Sequence, residues 1–218
     1  MGGVLAVLEQ RDGALKKVSQ ETLTAARSLA DQLGVSAEAV MVGPPGIDVS
    51  AVGTYGAEKL HVVEDESLRL YQAGAYAAAV SERAKDGGHA IVVLGATAMG
   101  RDLAPRVAAR LDCPLAVDVT SIDGSDGISV TRPVFSGKAI YTLKISGSPC
   151  VISVRPNVFT PREAEKEVVV ETMAAPDATL RARTTSVKEP ESTRADVTEA
   201  GIVVSGGRGQ GAGELQNY

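Results

Sequence analysis

Four consecutive apolar residues, Ile91-Val92-Val93-Leu94, run straight into the glycine-bracketed turn Gly95-Ala96-Thr97-Ala98-Met99-Gly100 and then into a helical pattern. A strand that is apolar on both faces cannot lie on a surface; it has to sit inside a sheet that is covered on both sides. The first half of the chain repeats the same grammar. Residues 4–8 form an apolar run of strand length, and residues 40–42 and 61–63 read as further strands. Between them, Leu23, Ala26, Leu29, Ala30 and Leu33 recur at helical spacing, with Ser19 as the expected N-cap and Gly34 as the expected C-cap. A second helix is expected over residues 68–84, with Tyr71, Ala75 and Ala78 on one face, and a third carries Leu103, Val107, Ala108 and Leu111. Strand and helix in alternation imply right-handed crossovers and a parallel sheet. The expected fold is therefore α/β, a Rossmann-like three-layer sandwich.

Past Leu115 the pattern changes. Residues 128–134, 139–145 and 150–154 are strand-like, and Ser136-Gly137 marks a turn between the first two, so an antiparallel extension at one edge of the sheet is expected. Residues 160–196 are charged and contain Pro and Thr, interrupted by an expected edge strand at 168–170 and followed by a linker near 186–195. The chain then restarts with Ile202-Val203-Val204, read as a strand, and Ser205-Gly206-Gly207-Arg208-Gly209. The expected organisation is one α/β domain over residues 1–190, and over 191–218 a linker with the incomplete start of a second domain.

Composition narrows the function. Lys and Arg number 22 against 27 Asp and Glu, a net charge of −5 without a basic face, which disfavours nucleic acid. Aromatic residues are 3% of the chain and Trp is absent, which removes stacking platforms for single strands. The longest apolar stretch is too short and glycine-broken for a bilayer span, so a membrane-embedded chain is not expected. Met1-Gly2-Gly3 has no basic n-region, Ala6 stands where a myristoylation motif wants Ser or Thr, and a bacterial-type cytoplasm is the expected compartment. Cys113 and Cys150 form no Cys-x-x-Cys pair and read as reduced structural thiols. His61 and His89 have no carboxylate or thiol at ligand spacing and read as core or edge histidines, so no metal site and no catalytic residue are expected.

Two glycine patterns remain. Gly95 and Gly100 bracket a phosphate-loop-like spacing, but Arg101-Asp102 stands where Lys and Ser or Thr would carry the charge, so a tight strand-to-helix turn is the stronger reading. Gly207-x-Gly209-x-x-Ala212 after a strand-like run meets the short dinucleotide pattern. That pattern also needs a helix, a second strand and an acidic residue about twenty positions on. Only six residues follow Ala212, so this chain is not expected to complete such a site by itself.

Several segments together resemble the α subunit of electron transfer flavoproteins. They are Leu94-Gly-Ala-Thr-Ala-Met-Gly-Arg-Asp-Leu-Ala-Pro-Arg-Val-Ala-Ala-Arg-Leu-Asp112, Val117-Asp118-Val119-Thr120, Arg132-Pro133-Val134-Phe135-Ser136-Gly137-Lys138-Ala139, Val154-Arg155-Pro156-Asn157-Val158-Phe159 and Val203-Val204-Ser205-Gly206-Gly207-Arg208-Gly209. The resemblance implies an N-terminal domain similar to adenine nucleotide alpha hydrolase-like domains, followed by a domain that holds FAD. It also implies a heterodimer with a β subunit that holds AMP. Such a protein is an electron carrier, taking electrons from dehydrogenases, such as acyl-CoA dehydrogenases of fatty acid β-oxidation, and delivering them to a membrane quinone oxidoreductase. By the same resemblance, Arg208 would face the flavin, with Gly206, Gly207 and Gly209 shaping its turn. The family's later flavin motifs are missing from this sequence, so the chain as given is expected not to bind FAD tightly. The alternative is a stand-alone nucleotide-binding or partner-binding α/β module without flavin.

Overall fold

In a computed structural model of the chain, residues 2–11, 13–177, 182–188 and 202–206 are described. The first strand, β1 (Val4–Leu8), leads through a small hairpin of β2 (Gln10–Arg11) and β3 (Ala14–Leu15) into α1 (Lys17–Leu33). Then follow β4 (Ala37–Gly43), β5 (Lys59–Glu64), α2 (Ala73–Asp86), β6 (Ile91–Gly95), α3 (Ala98–Leu111) and β7 (Leu115–Val119). Three antiparallel strands come next, β8 (Ser121–Asp123), β9 (Ser129–Val134) and β10 (Ala139–Lys144), and then β11 (Cys150–Val154) and β12 (Val169–Ala174).

Seven strands make one parallel sheet in the order β12-β5-β4-β1-β6-β11-β7. Side chains alternate across it, so each strand feeds two cores. On one face Val4, Ala6, Met41, Leu60, Ile91 and Ile152 pack with Leu23, Ala26 and Leu29 of α1. On the other, Leu5, Val7, Val40, Val92, Leu94 and Val151 pack with Tyr76 and Val80 of α2 and Leu103 and Val107 of α3. Three layers result, as the sequence pattern implies. β1, β6 and β11 are buried along their whole length.

Two local expectations are corrected. Ser19 is not an N-cap: α1 begins two residues earlier, and the Ser19 hydroxyl bonds the backbone of Glu9, accepting from its N–H and donating to its carbonyl, both at 2.7 Å. Gly34, by contrast, ends the helix in the left-handed conformation (φ 66) that glycine adopts without strain. The second helix starts at Ala73 instead of 68, because Asp65 caps a single 3-10 turn over Glu66–Leu68 and the chain extends before re-entering a helix.

The antiparallel strands exist, but they form their own three-stranded sheet, β10-β9-β8, and Cys150–Val154 does not belong to it. That strand is parallel and lies between β6 and β7. Its five residues are all buried, with Ser153 the one polar side chain, and this burial requires neighbours on both edges and cover on both faces, which the main sheet supplies. β12 is an edge strand, in parallel register with β5.

Packing divides the chain into two units, Met1–Ser186 and Val187–Tyr218. In the second, residues 202–206 are exposed and carry no regular structure, so the strand expected at 202–204 is not formed. A strand needs a neighbour for its backbone groups, and no pairing to this segment occurs among the described residues. No helix of the described residues is long and apolar enough to cross a membrane.

Candidate functional site

In a doubly wound sheet, ligands bind at the carboxyl ends of the strands where the strand order reverses. Here that gap lies between β1 and β6. The chain fills it with its own side chains. Glu9, the residue after β1, is 6% exposed. Thr97, the N-cap of α3, donates its hydroxyl to Glu9 Oε1 at 2.5 Å and accepts from the Gly100 N–H at 3.0 Å. Lys16 Nζ stands 3.5 Å from the other carboxylate oxygen. A Cβ on Gly95 would lie 2.5 Å from Val18, and one on Gly100 would lie 1.8 Å from the Gly95 carbonyl oxygen. The 95–100 segment is thus a tight strand-to-helix turn, and a carboxylate already sits where a phosphate would meet the helix N-terminus. Burial pushes the Glu9 pKa up, while Thr97 and Lys16 oppose the shift.

The chemistry lies on the other side of the sheet, at the carboxyl ends of β7 and β11. Arg155 donates Nε to Asp118 Oδ1 at 3.0 Å and Nη2 to Oδ2 at 2.6 Å, a bidentate pair. Asp118 adopts a left-handed backbone (φ 57), and its N–H donates to Ser153 Oγ at 3.0 Å, so the neighbouring strand fixes the carboxylate's position. The Arg155 hydrogen bond holds the Asp118 carboxyl below the usual range, with added pull from the charges of Arg155, Arg101 and Arg132. Arg132 comes from β9, and its Nε is buried without an acceptor among the described residues. The β9–β10 turn closes the site. Gly137 N–H donates to the Val134 carbonyl at 3.1 Å across Phe135 (φ 52) and Ser136 (φ 57), the geometry of a type I′ turn. A cavity of about 460 Å³ lies between this turn, Asp118, Arg132 and Arg155. Nearby, Asn157 (φ 62) donates its N–H to Glu21 Oε2 at 2.9 Å and accepts from Lys17 Nζ at 2.9 Å, tying the loop after β11 to α1.

Four of the five segments that carry the resemblance thus bring residues to one end of the sheet: Arg101 from 94–112, Asp118 from 117–120, Arg132 to Gly137 from 132–139 and Arg155 from 154–159. Of the expected cofactor residues, Gly206 is exposed, while Gly207, Arg208 and Gly209 lie outside the described residues.

The amino ends of the strands hold a cluster the sequence did not reveal. His61 and His89 are both buried, and both direct Nε2 at Glu38 Oε2, at 2.8 and 3.2 Å. His61 Nδ1 faces Glu171 of β12 at 3.3 Å, and Glu171 also pairs with Lys59 at 2.5 Å. Both are core histidines, as expected, and their carboxylate partner lies at no short spacing: Glu38 is 23 and 51 residues away along the chain, and only the fold brings it to them. Burial raises the Glu38 pKa, but its two imidazole partners outweigh that and hold it low; burial also lowers the His89 pKa. Among the described residues no group of three or more His, Cys, Asp or Glu is placed to hold a metal ion. Cys113 and Cys150 are free thiols, and burial pushes Cys150 up to about 12.

Fold and site together define a doubly wound α/β domain with a closed switch-point crevice and a basic, hairpin-capped site beside it. The electron transfer flavoprotein domain matches residues 4–178, and the chain belongs to that family. Electron transfer flavoprotein subunit alpha of Mycobacterium leprae is 37% identical over 222 residues, covering 98% of this chain and 67% of that protein. The protein of the same name from Clostridium acetobutylicum and Protein FixB of Clostridium saccharobutylicum are each 35% identical, each covering 97% of this chain and 66% of their own length. The chain thus spans about two-thirds of the length of these relatives.

Proposed function

We propose that the chain is an α subunit of an electron transfer flavoprotein: an electron carrier, not an enzyme, working with FAD and with a second, β subunit. The observation that carries this reading is the identity to named α subunits along almost the whole chain. Its first unit, Met1–Ser186, is a platform. The crevice that holds nucleotides in related folds does not fit a pyrophosphate here, since the buried Glu9 side chain, bonded to Thr97 at the start of α3, already occupies it. The same observation counts against the stand-alone nucleotide-binding module. Flavin contact belongs to the segment with Gly206, Gly207, Arg208 and Gly209, where a fixed guanidinium charge would stabilise an anionic group of FAD. FAD, when bound, supplies the one- and two-electron chemistry. The partners of the assembled protein are a β subunit carrying AMP, dehydrogenases as donors and a quinone oxidoreductase as acceptor, in a bacterial-type cytoplasm.

Two measurements test the reading. The purified chain mixed with a β subunit from the same source should elute as a 1:1 complex in size-exclusion chromatography with light scattering. Titration with FAD, followed by flavin fluorescence, should show no tight, saturable binding to the 218-residue chain alone. Failure to form the complex overturns the subunit assignment, and tight FAD binding overturns the assignment of the first unit as a platform.

A further inference from the structure

We infer that the cavity bounded by Arg132, Arg155 and the Phe135–Ser136 turn receives a carboxylate that a partner protein presents beside apolar side chains. The inference rests on the reading of the chain as one subunit of a two-subunit protein, and it specifies where and by what chemistry docking occurs.

Charge is the first observation. The chain carries a net −5, yet at this point three guanidiniums, Arg101, Arg132 and Arg155, act on one carboxylate, Asp118. Arg155 takes one acceptor position on each Asp118 oxygen, and Arg132 acts on Asp118 through its charge, with no hydrogen bond between the two among the described residues. Arg132 Nε is buried with no acceptor among the described residues. Buried donors are almost always satisfied, by protein, water or a ligand, so this one is open to an acceptor that enters the cavity. The space beside it, about 460 Å³, can admit a side chain.

The surroundings decide what kind of acceptor that is. Phe135, in the turn next to Arg132, is 70% exposed, whereas the exposed Ile140, opposite Pro133 in the register, lies on the other face of the hairpin. Tyr141 lies directly opposite Arg132 in the register and packs edge-on against Phe135 at 6.3 Å. Leu143 is a further exposed apolar residue along β10. Aromatic and arginine side chains side by side, ringed by apolar area, are the composition of protein-binding hot spots, whereas a small inorganic anion needs no apolar rim.

Backbone strain points the same way. Phe135 is a bulky residue held at φ 52, where a type I′ turn favours Asn or Gly, and it lines the cavity beside Arg132. Strain at a residue that the fold does not bury is retained where the residue has work to do. Charge, cavity, apolar rim and strained turn thus share one short hairpin.

The test titrates a β subunit from the same source into the full chain, by isothermal calorimetry, for the wild type and three variants. Arg132→Glu is expected to weaken binding at least a hundredfold and Phe135→Ser at least tenfold. Lys85→Glu, an exposed charge at the far end of α2, is expected to leave it within twofold. Wild-type affinity is expected to fall as salt rises, with a shallower slope for Arg132→Met. Phe135 is exposed, so its variant folds even if an Arg132 variant does not, which circular dichroism checks. If the wild type binds and both hairpin variants bind equally well, the surface is wrong and the subunit reading stands. If the wild type does not bind, both fall. Saturable binding of inorganic phosphate or AMP to the chain alone, lost in Arg132→Glu while subunit affinity is unchanged, overturns the protein-partner assignment.

Discussion

Replacing the hairpin turn Phe135-Ser136 by Asn-Gly should stabilise the folded chain. Both residues sit in the left-handed region, at φ 52 and φ 57, and neither is glycine. A non-glycine residue there costs roughly 1–2 kcal/mol, and Asn and Gly are the residues that tolerate it best. Glycine gives back about 0.5–1 kcal/mol through the greater freedom of the unfolded chain. Loss of the edge-on contact between Phe135 and Tyr141 removes about 0.5 kcal/mol more. Little buried area is lost, because Phe135 is 70% exposed. The balance is a gain of about 1–2 kcal/mol, equivalent to a Tm rise of about 3–6 °C for a domain of this size. Urea denaturation followed by circular dichroism reads the gain as a higher midpoint at unchanged m-value. An unchanged or lower midpoint would mean that the turn stores no strain, and the argument from strain to docking would lose its footing. The same variant should bind the β subunit more weakly, so stability and affinity should move in opposite directions.

Further outcomes follow from other parts of the structure. Gly100→Ala should cost on the order of 3–5 kcal/mol, because its Cβ meets the Gly95 carbonyl oxygen; in an unconstrained helix the same change gains about 1 kcal/mol, so the sign of the shift in thermal denaturation is decisive. Glu9 holds its proton more tightly folded than unfolded, so its contribution to stability is complete below the unfolded pKa and is lost as pH rises through the raised folded pKa. Glu9→Gln removes that titration, and the variant should gain on the wild type as pH goes from about 4 to about 7; a constant difference across the range would count against a buried, reluctantly ionised Glu9. Glu38→Ala leaves two buried imidazoles without their shared acceptor and should cost about 2–4 kcal/mol, with Glu38→Gln costing less; equal urea midpoints for all three proteins would refute the clamp.

What was legible in the sequence was what local pattern governs. Ile91-Val92-Val93-Leu94 announced a strand buried on both faces because every position is apolar, and Gly34 announced a helix end because glycine alone reaches its conformation freely. Ser19 misled because a serine before an apolar run has two uses, capping a helix or bonding a neighbouring strand end, and only the fold selects between them. Cys150–Val154 reads as a strand but not as one between β6 and β7, since a mostly apolar run states that it is buried and does not state between which strands. Pairings at long separation left no trace at all. Arg155 meets Asp118 across 37 residues and His89 meets Glu38 across 51, and no spacing rule connects them. The basic hairpin site was thus visible only as scattered motif segments until the sheet assembled them.

The insertion of β11 between β6 and β7 sets an order of events during synthesis. β7 touches the main sheet only through β11, so a ribosome that has released residues up to the end of β10 has made two strands that cannot yet join. For that interval β6, whose every residue is destined for the core, presents one edge with free backbone groups. Such an edge is a template for pairing with another nascent chain, and non-local parallel pairing is slow to close. Nascent chains that end between β6 and β11 therefore expose an apolar strand edge, and they should be clients of chaperones that cover such strands.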